Sequence, residues 1–181
     1  MYYFCVVNFI TTCWNDDISQ SIKHLQEIIH FSSMLFRVND LDKIEKISEF
    51  DKYVKPLVNP ALSDYCIENT NITQEIVDNS KDFREIYNEH HTWLTNFVKY
   101  KDIVYIVTKD KIQMKNILYN ETIMKNCKFY NIYRKNISLQ DEISNIKSFN
   151  FESKNNLDIC DNLSNLFIEI IKSKDLTINI I

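Results

Sequence analysis

Five apolar blocks, separated by polar turns and by helix-spaced segments, set the architecture of this chain. Tyr2–Trp14, YYFCVVNFITTCW, begins as an unbroken aromatic and β-branched run, the pattern of a strand covered on both faces. Its Thr-Thr-Cys-Trp tail reads as the strand leaving the sheet. Asn15-Asp16-Asp17 is a turn cluster, and Ile18–Leu25 reads as a loop. Gln26–Val38 predicts a second strand, closed by a turn at Asn39-Asp40. Lys43–Val54 is ambiguous by spacing alone. The following KPLVNP is held extended, because each proline biases its predecessor away from helix, and this favours a hairpin with Gln26–Val38.

The pattern then changes to helical spacing. Pro60–Glu68 opens a helix with proline near its first turn, and Asn69-Thr70-Asn71 breaks it. Thr73 caps a short helix. Ser80 caps a longer one over Lys81–Tyr100, where Phe83, Ile86, Tyr87, His90, Leu94, Phe97 and Val98 fall mostly on one face. Asp102–Thr108 is a buried strand, Lys109–Leu118 a helix, and Lys128–Tyr133 a fifth strand. Ser138 caps a short helix to Lys147, and Asp158–Ser173 is an amphipathic last helix. Three strands followed by helix–strand alternation predict an α/β fold: a mixed five-stranded sheet with helices on both faces. At 181 residues the chain suits one domain, 1–175, with an apolar tail at Leu176–Ile181.

Composition narrows the chemistry. Glycine is absent, so no glycine-rich phosphate loop exists, and any residue at positive φ is expected to be asparagine or aspartate. Heavy use of Asn, Ile, Lys and Tyr fits an AT-rich genome, such as that of a parasite or a large DNA virus. Five scattered cysteines with no CxxC spacing predict free thiols in a reducing, intracellular setting, cytoplasmic or nuclear. A net charge of −4 argues against binding to nucleic acid through overall charge, although Lys99, Lys101, Lys109, Lys111 and Lys115 cluster around the fourth strand. No run is long enough to cross a membrane, and the N-terminal run lacks the basic flank of a signal peptide. His90-His91 point to different helix faces and read as helix surface rather than as a metal site.

Several stretches resemble the DEDDh 3′–5′ exonucleases, in particular the subgroup that trims small RNAs and histone mRNA ends. Val6, Val7, Phe9, Thr11, Thr12, Cys13 and Trp14 match that family's first motif. Glu27–Phe31 resembles its second strand, Tyr53-Val54-Lys55-Pro56 its following Y-V-K-P, and Leu62–Val77, LSDYCIENTNITQEIV, its longest and most specific signature. Phe83 and Trp93-Leu94 fall where the next helix carries its Phe and Trp. The resemblance implies an RNase H-like exonuclease fold. In that family four carboxylates hold two divalent cations about 3.5–4 Å apart, with a histidine as general base.

The frame matches and the chemistry does not. Asn8 and Ile10 stand where the first two acids belong. Within Val107–Leu118, Gln113 stands for the third, and in Leu157–Asn165 the best register puts Leu157 at the histidine and Asn162 at the last acid. The resemblance therefore implies a catalytically degenerate member with no metal cofactor, the family's two Mg or Mn ions having lost their ligands. Three roles remain open: a protein-interaction or regulatory subunit of an intracellular, viral or cellular, assembly; a non-cleaving domain that binds a single-stranded RNA 3′ end or nucleotide in the old groove; and, last in order, an active divalent-metal 3′–5′ exoribonuclease. Contacts carried over for the second role are Phe9, Thr11, Thr12, Trp14, Thr70 and Ile72.

Overall fold

The N-terminal run forms the middle of the sheet. In the computed structural model, which describes residues 1–15, 25–40, 43–144 and 159–172, β1 (Tyr2–Thr11) has a partner on each side. β2 (Ile28–Asp40) runs antiparallel to it, and β4 (Ile103–Thr108) runs parallel. β3 (Lys43–Tyr53) forms the expected hairpin with β2. β5 (Asn136–Ser138) adds parallel to β4, giving the order β3-β2-β1-β4-β5.

Strand alternation splits β1 between two cores. Tyr3, Cys5, Val7 and Phe9 pack with Phe31, Phe83, Tyr87 and Leu94, beneath α3 (Phe83–Phe97). Phe4 and Val6 pack on the other face with Leu163, Phe167 and Ile171 of α6 (Ile159–Lys172). Layers on both faces explain why β1 is apolar on both sides through Val7. Ile10 enters a third cluster with Ile29, Cys66, Ile72 and Val77, built by α1 (Asp64–Thr70) and α2 (Gln74–Asp78) at the end of the strand.

Several expectations are corrected in detail. Lys128–Tyr133 is not a strand; Asn131–Tyr133 is a short 3-10 turn. Its rings lie over α3 instead, with Tyr130 and Tyr133 at 5.3 and 5.2 Å from Tyr87. The strand pairing with β4 passes to Asn136–Ser138. α1 starts at Ser63, whose Oγ accepts from Cys66 N–H at 3.0 Å, rather than at Pro60. α3 is capped by Asp82, which accepts from Glu85 N–H at 3.0 Å, whereas Ser80 donates backwards to Ile76 O at 2.7 Å. Thr73 caps α2 as expected, and Ser138 Oγ accepts from Asp141 N–H at 3.4 Å at the start of α5 (Leu139–Ser144). The helical segment after β4 includes a π-helical stretch, Gln113–Leu118, that continues into α4 (Tyr119–Met124). Both described residues at positive φ are asparagines, Asn71 at 56° and Asn126 at 51°. Asn71 ends α1 in the left-handed conformation that glycine would otherwise supply.

His90 is not on the surface. It is fully buried, with Nε2 2.9 Å from Ser33 Oγ and Nδ1 2.7 Å from Tyr133 OH. Burial pushes its pKa down to about 3, so it is a neutral hydrogen-bonding link between β2 and the 3-10 turn. Asp16-Asp17, Leu157 and the tail Leu176–Ile181 lie outside the described residues. Among the described residues no helix is long and apolar enough to cross a membrane.

Candidate functional site

Three of the positions that the resemblance assigns to acids, Asn8, Ile10 and Gln113, meet at the top of β1. Asn8 and Ile10 follow Val6 on the α6 side of the sheet, two residues apart, and both are buried. Ser32 and His30 stand opposite them on β2, and Asp51 and Tyr53 stand next on β3. Ser32 Oγ donates to the Asn8 carbonyl at 3.4 Å. The Ile10 side chain is absorbed into the third cluster, against Ile29, Cys66 and Ile72.

Gln113 reaches the same spot from the next element. β1 outruns β4, with Val6 opposite Val107 as the last pair. Past that point Phe9 N–H donates to Gln113 Oε1 at 3.0 Å. Asp110 sets the approach, because its Oδ1 accepts from Ile112 and Gln113 N–H at 2.8 and 3.2 Å. The carboxamide therefore acts as a one-bond extension of the sheet. Asn162 is not drawn in. α6 buries Cys160, Leu163, Ser164 and Phe167, and Asn162 lies on its exposed side. Cys160 Sγ instead approaches Val6 O at 3.8 Å, and Ser164 Oγ bonds Met34 Sδ at 3.2 Å.

The six carried-over groove positions divide. Phe9 faces the opposite core, edge-on to Phe31 at 4.7 Å, because strand alternation turns it away from Asn8 and Ile10. Thr12 Oγ1 accepts from Glu27 N–H at 3.0 Å. Thr70 Oγ1 donates to Cys66 O at 2.7 Å and accepts from Ile72 N–H at 3.2 Å, and Ile72 is core. Thr11 and Trp14 are partly exposed at the rim.

Three ionisable residues matter here that sequence patterning did not single out. His30, beside Ile10, stacks on Tyr53 at 4.9 Å, and its Nε2 lies 2.6 Å from Asp51 Oδ1. That contact, above all its hydrogen-bonding character, holds Asp51 below the usual carboxylate range. Glu27 is buried yet charged. Its carboxylate accepts from Leu57, Val58 and Asn59 N–H at 2.9, 2.9 and 2.7 Å and pairs with Lys125. Burial works to raise its pKa, but Lys125 and the three amides outweigh it and hold Glu27 low. Glu121 on α4 is equally buried and accepts from Ile28 N–H at 2.6 Å. It lacks such a cradle, and burial pushes its pKa up to about 7. The sequence signal for Glu27 and His30 was an ionisable side chain at each end of the apolar pair Ile28-Ile29; for Glu121 there was none.

Comparison with known proteins adds what geometry leaves open. The family model described as Exonuclease matches residues 11–164. The chain belongs to the exonuclease family. This exonuclease-family domain is 36% identical over 105 residues to ERI1 exoribonuclease 2 of Xenopus laevis, which covers 58% of the chain and 14% of that protein. It is 30% identical over 146 residues to 3′-5′ exoribonuclease 1 of Rattus norvegicus, covering 79% of the chain and 40% of that protein. The domain thus spans well under half the length of these relatives. Among solved structures it superposes with a TM-score of 0.80, at 22% identity, on the nuclease domain of 3′hExo, a DEDDh family member, bound to rAMP. That match covers 94% of this chain and 92% of the other. A 3′-exonuclease solved for 3′-end specific recognition of a histone mRNA stem-loop gives a TM-score of 0.81 at 22% identity, covering 94% and 82%. The mixed sheet is accordingly the RNase H-like sheet of the DEDDh exonucleases.

Proposed function

We propose that this domain is a non-cleaving member of its family, retained as a binding and regulatory subunit for a protein partner inside the cell. The observation that carries the reading is the fate of Ile10 and Gln113. Two hard divalent cations held in the family's manner need charged oxygens at the head of the central strand. Ile10 has no donor atom and is packed in an apolar cluster. The Gln113 amide oxygen is engaged by Phe9 N–H, and Asn8 is neutral. This donor set does not suit a pair of Mg²⁺ or Mn²⁺ ions. A partner role is supported by the loop that Glu27 fixes: Leu57 and Val58 are exposed apolar side chains on a backbone whose three successive amides donate to one carboxylate.

The test combines catalysis and capture. Purified protein with Mg²⁺ or Mn²⁺ and end-labelled single-stranded RNA is expected to give no shortening, and Gln113→Ala is expected to change nothing. Metal-dependent trimming that Gln113→Ala abolishes would overturn the reading. Affinity purification from the native cell is expected to return a stoichiometric protein partner, lost on Leu57→Asp/Val58→Asp.

A second reading rests on Thr11 and Trp14, which stay partly exposed at the rim. In it the domain holds an RNA 3′ end without cutting, Trp14 serving as a stacking platform. Binding of a labelled oligoribonucleotide that falls steeply with salt and is lost in Trp14→Ala favours this role over the first.

A further inference from the structure

Cys13 and Cys66 meet where β1 leaves the sheet. Cys13 lies just past the strand and packs on the third cluster, and Cys66 is a core member of that cluster in the first turn of α1. The two side chains share that cluster. Their backbones are joined by a single side chain: Ser63 Oγ donates to Cys13 O at 2.6 Å and accepts from Cys66 N–H at 3.0 Å. Cys66 Sγ also lies 4.0 Å from Thr11 O. One hydroxyl oxygen therefore ties the backbone of Cys13 to that of Cys66. Cys66 is fully buried, whereas Cys13 is partly exposed.

We infer that Cys13 and Cys66 form a reversible dithiol–disulfide site that responds to hydroperoxides. The other three cysteines do not share this arrangement. Cys5 and Cys160 are buried in the two main cores, and burial pushes the thiol of each up. Cys127 lies at the end of α4, its Sγ directed at Lys125 O. In the Cys13–Cys66 pair the two thiols are pushed apart: Cys13 lowers the Cys66 thiol, and Cys66, with burial, raises the Cys13 thiol. The shared proton lets the charge move between the sulfurs.

The chemistry is a two-electron oxidation. The Cys13 sulfur gives its proton to Cys66 and attacks one peroxide oxygen. The O–O bond breaks, an alcohol or water leaves, and Cys13 becomes a sulfenic acid. The Cys66 thiolate then attacks the Cys13 sulfur. An S–S bond forms, the S–O bond breaks, and the oxygen leaves as water with the proton of the pair. Two thiols are oxidised and one peroxide is reduced. The product ties the exit of β1 to α1. A thiol reductant reverses it. The site stands on thiol geometry alone and is independent of whether the domain binds RNA or a protein.

The full chain is treated with hydrogen peroxide, quenched, unfolded, and assayed for free thiols and for peptides linked without reductant. The expected result is loss of two of the five thiols, a linked peptide pair holding Cys13 and Cys66, a higher Tm, and return of all five thiols with dithiothreitol. Cys127→Ser is expected to leave the linkage intact. Cys13→Ser, at a partly exposed position that leaves the core undisturbed, is expected to abolish it. Persistence of five thiols would overturn the inference. So would over-oxidation of Cys13 without a linked peptide, or linkage through another cysteine or a second chain.

Discussion

Two positions at one end of the sheet have opposite fates. At the head of β1 Asn8, Ile10 and Gln113 carry no charge, and the space is closed by an apolar cluster and one hydrogen bond from Phe9 N–H to the Gln113 amide oxygen. At the foot of β2 Glu27 remains a buried carboxylate, held by three amides and Lys125. The difference is the source of the compensating charge. Carboxylates at the first site would need an ion from solution and repel one another without it. Glu27 is compensated by the chain itself. A buried carboxylate survives here where the fold supplies its counter-charge.

The largest test of this contrast is Glu27→Ala. It leaves Lys125 unpaired and three amides without an acceptor, and is expected to cost about 3–5 kcal/mol in urea unfolding. A cost below about 1 kcal/mol would remove Glu27 as the organiser of the 57–59 loop. Next is Ile10→Glu, which restores the family's letter. It places a carboxylate in the third cluster and is expected to destabilise the apo domain by roughly 2–3 kcal/mol, the cost of burying a polar group without partners. Mg²⁺ is not expected to restore it; recovery of the full loss with millimolar Mg²⁺ would mean that the old ligand geometry persists.

The smallest effect is one of pH. Glu121 has a folded pKa near 7, above its unfolded value of 4.5. Its contribution to stability is therefore full below about 4.5 and is lost as pH rises through 7. Glu27, held low, behaves in the opposite sense, and its contribution is lost as pH falls below its ordinary range. Thermal unfolding from pH 5 to 8 is expected to show a decline on the order of 1–2 kcal/mol that Glu121→Gln flattens. An unchanged slope in the variant would assign the decline to another group.

The central strand and the long helices were legible because each buries a face with its own period, whereas the β2–β3 hairpin was legible only through the prolines that follow β3. The fifth strand was misplaced because aromatic residues serve a sheet or a helix face equally well. Tyr130 and Tyr133 found Tyr87, and nothing local in KFYNIY distinguishes the two outcomes. The resemblance brought Asn8, Ile10 and Gln113 to one place, and there they meet. It could not say that Thr12 and Thr70 hold their own backbone, because a motif gives position and not the partner of each hydroxyl. Glu27 and His90 were underread for the same reason: their partners, Lys125 and Tyr133, lie far along the chain.

The π-helical stretch that delivers Gln113 has a mechanical corollary. Tyr119 N–H reaches back to Met114 O, five residues earlier, so each turn holds more residues than an α-helix would. The segment works as an angular spacer between β4 and α4. Deleting one residue from it, so that the turn relaxes to α-helical winding, would swing one end by about 100° relative to the other. Either the Gln113 amide would leave Phe9 or Glu121 would leave Ile28. Two anchor points at one end of the sheet, Phe9 on β1 and Ile28 on β2, are thus phased by a single extra residue, and chain length in this segment is as constrained as the identity of any side chain it carries.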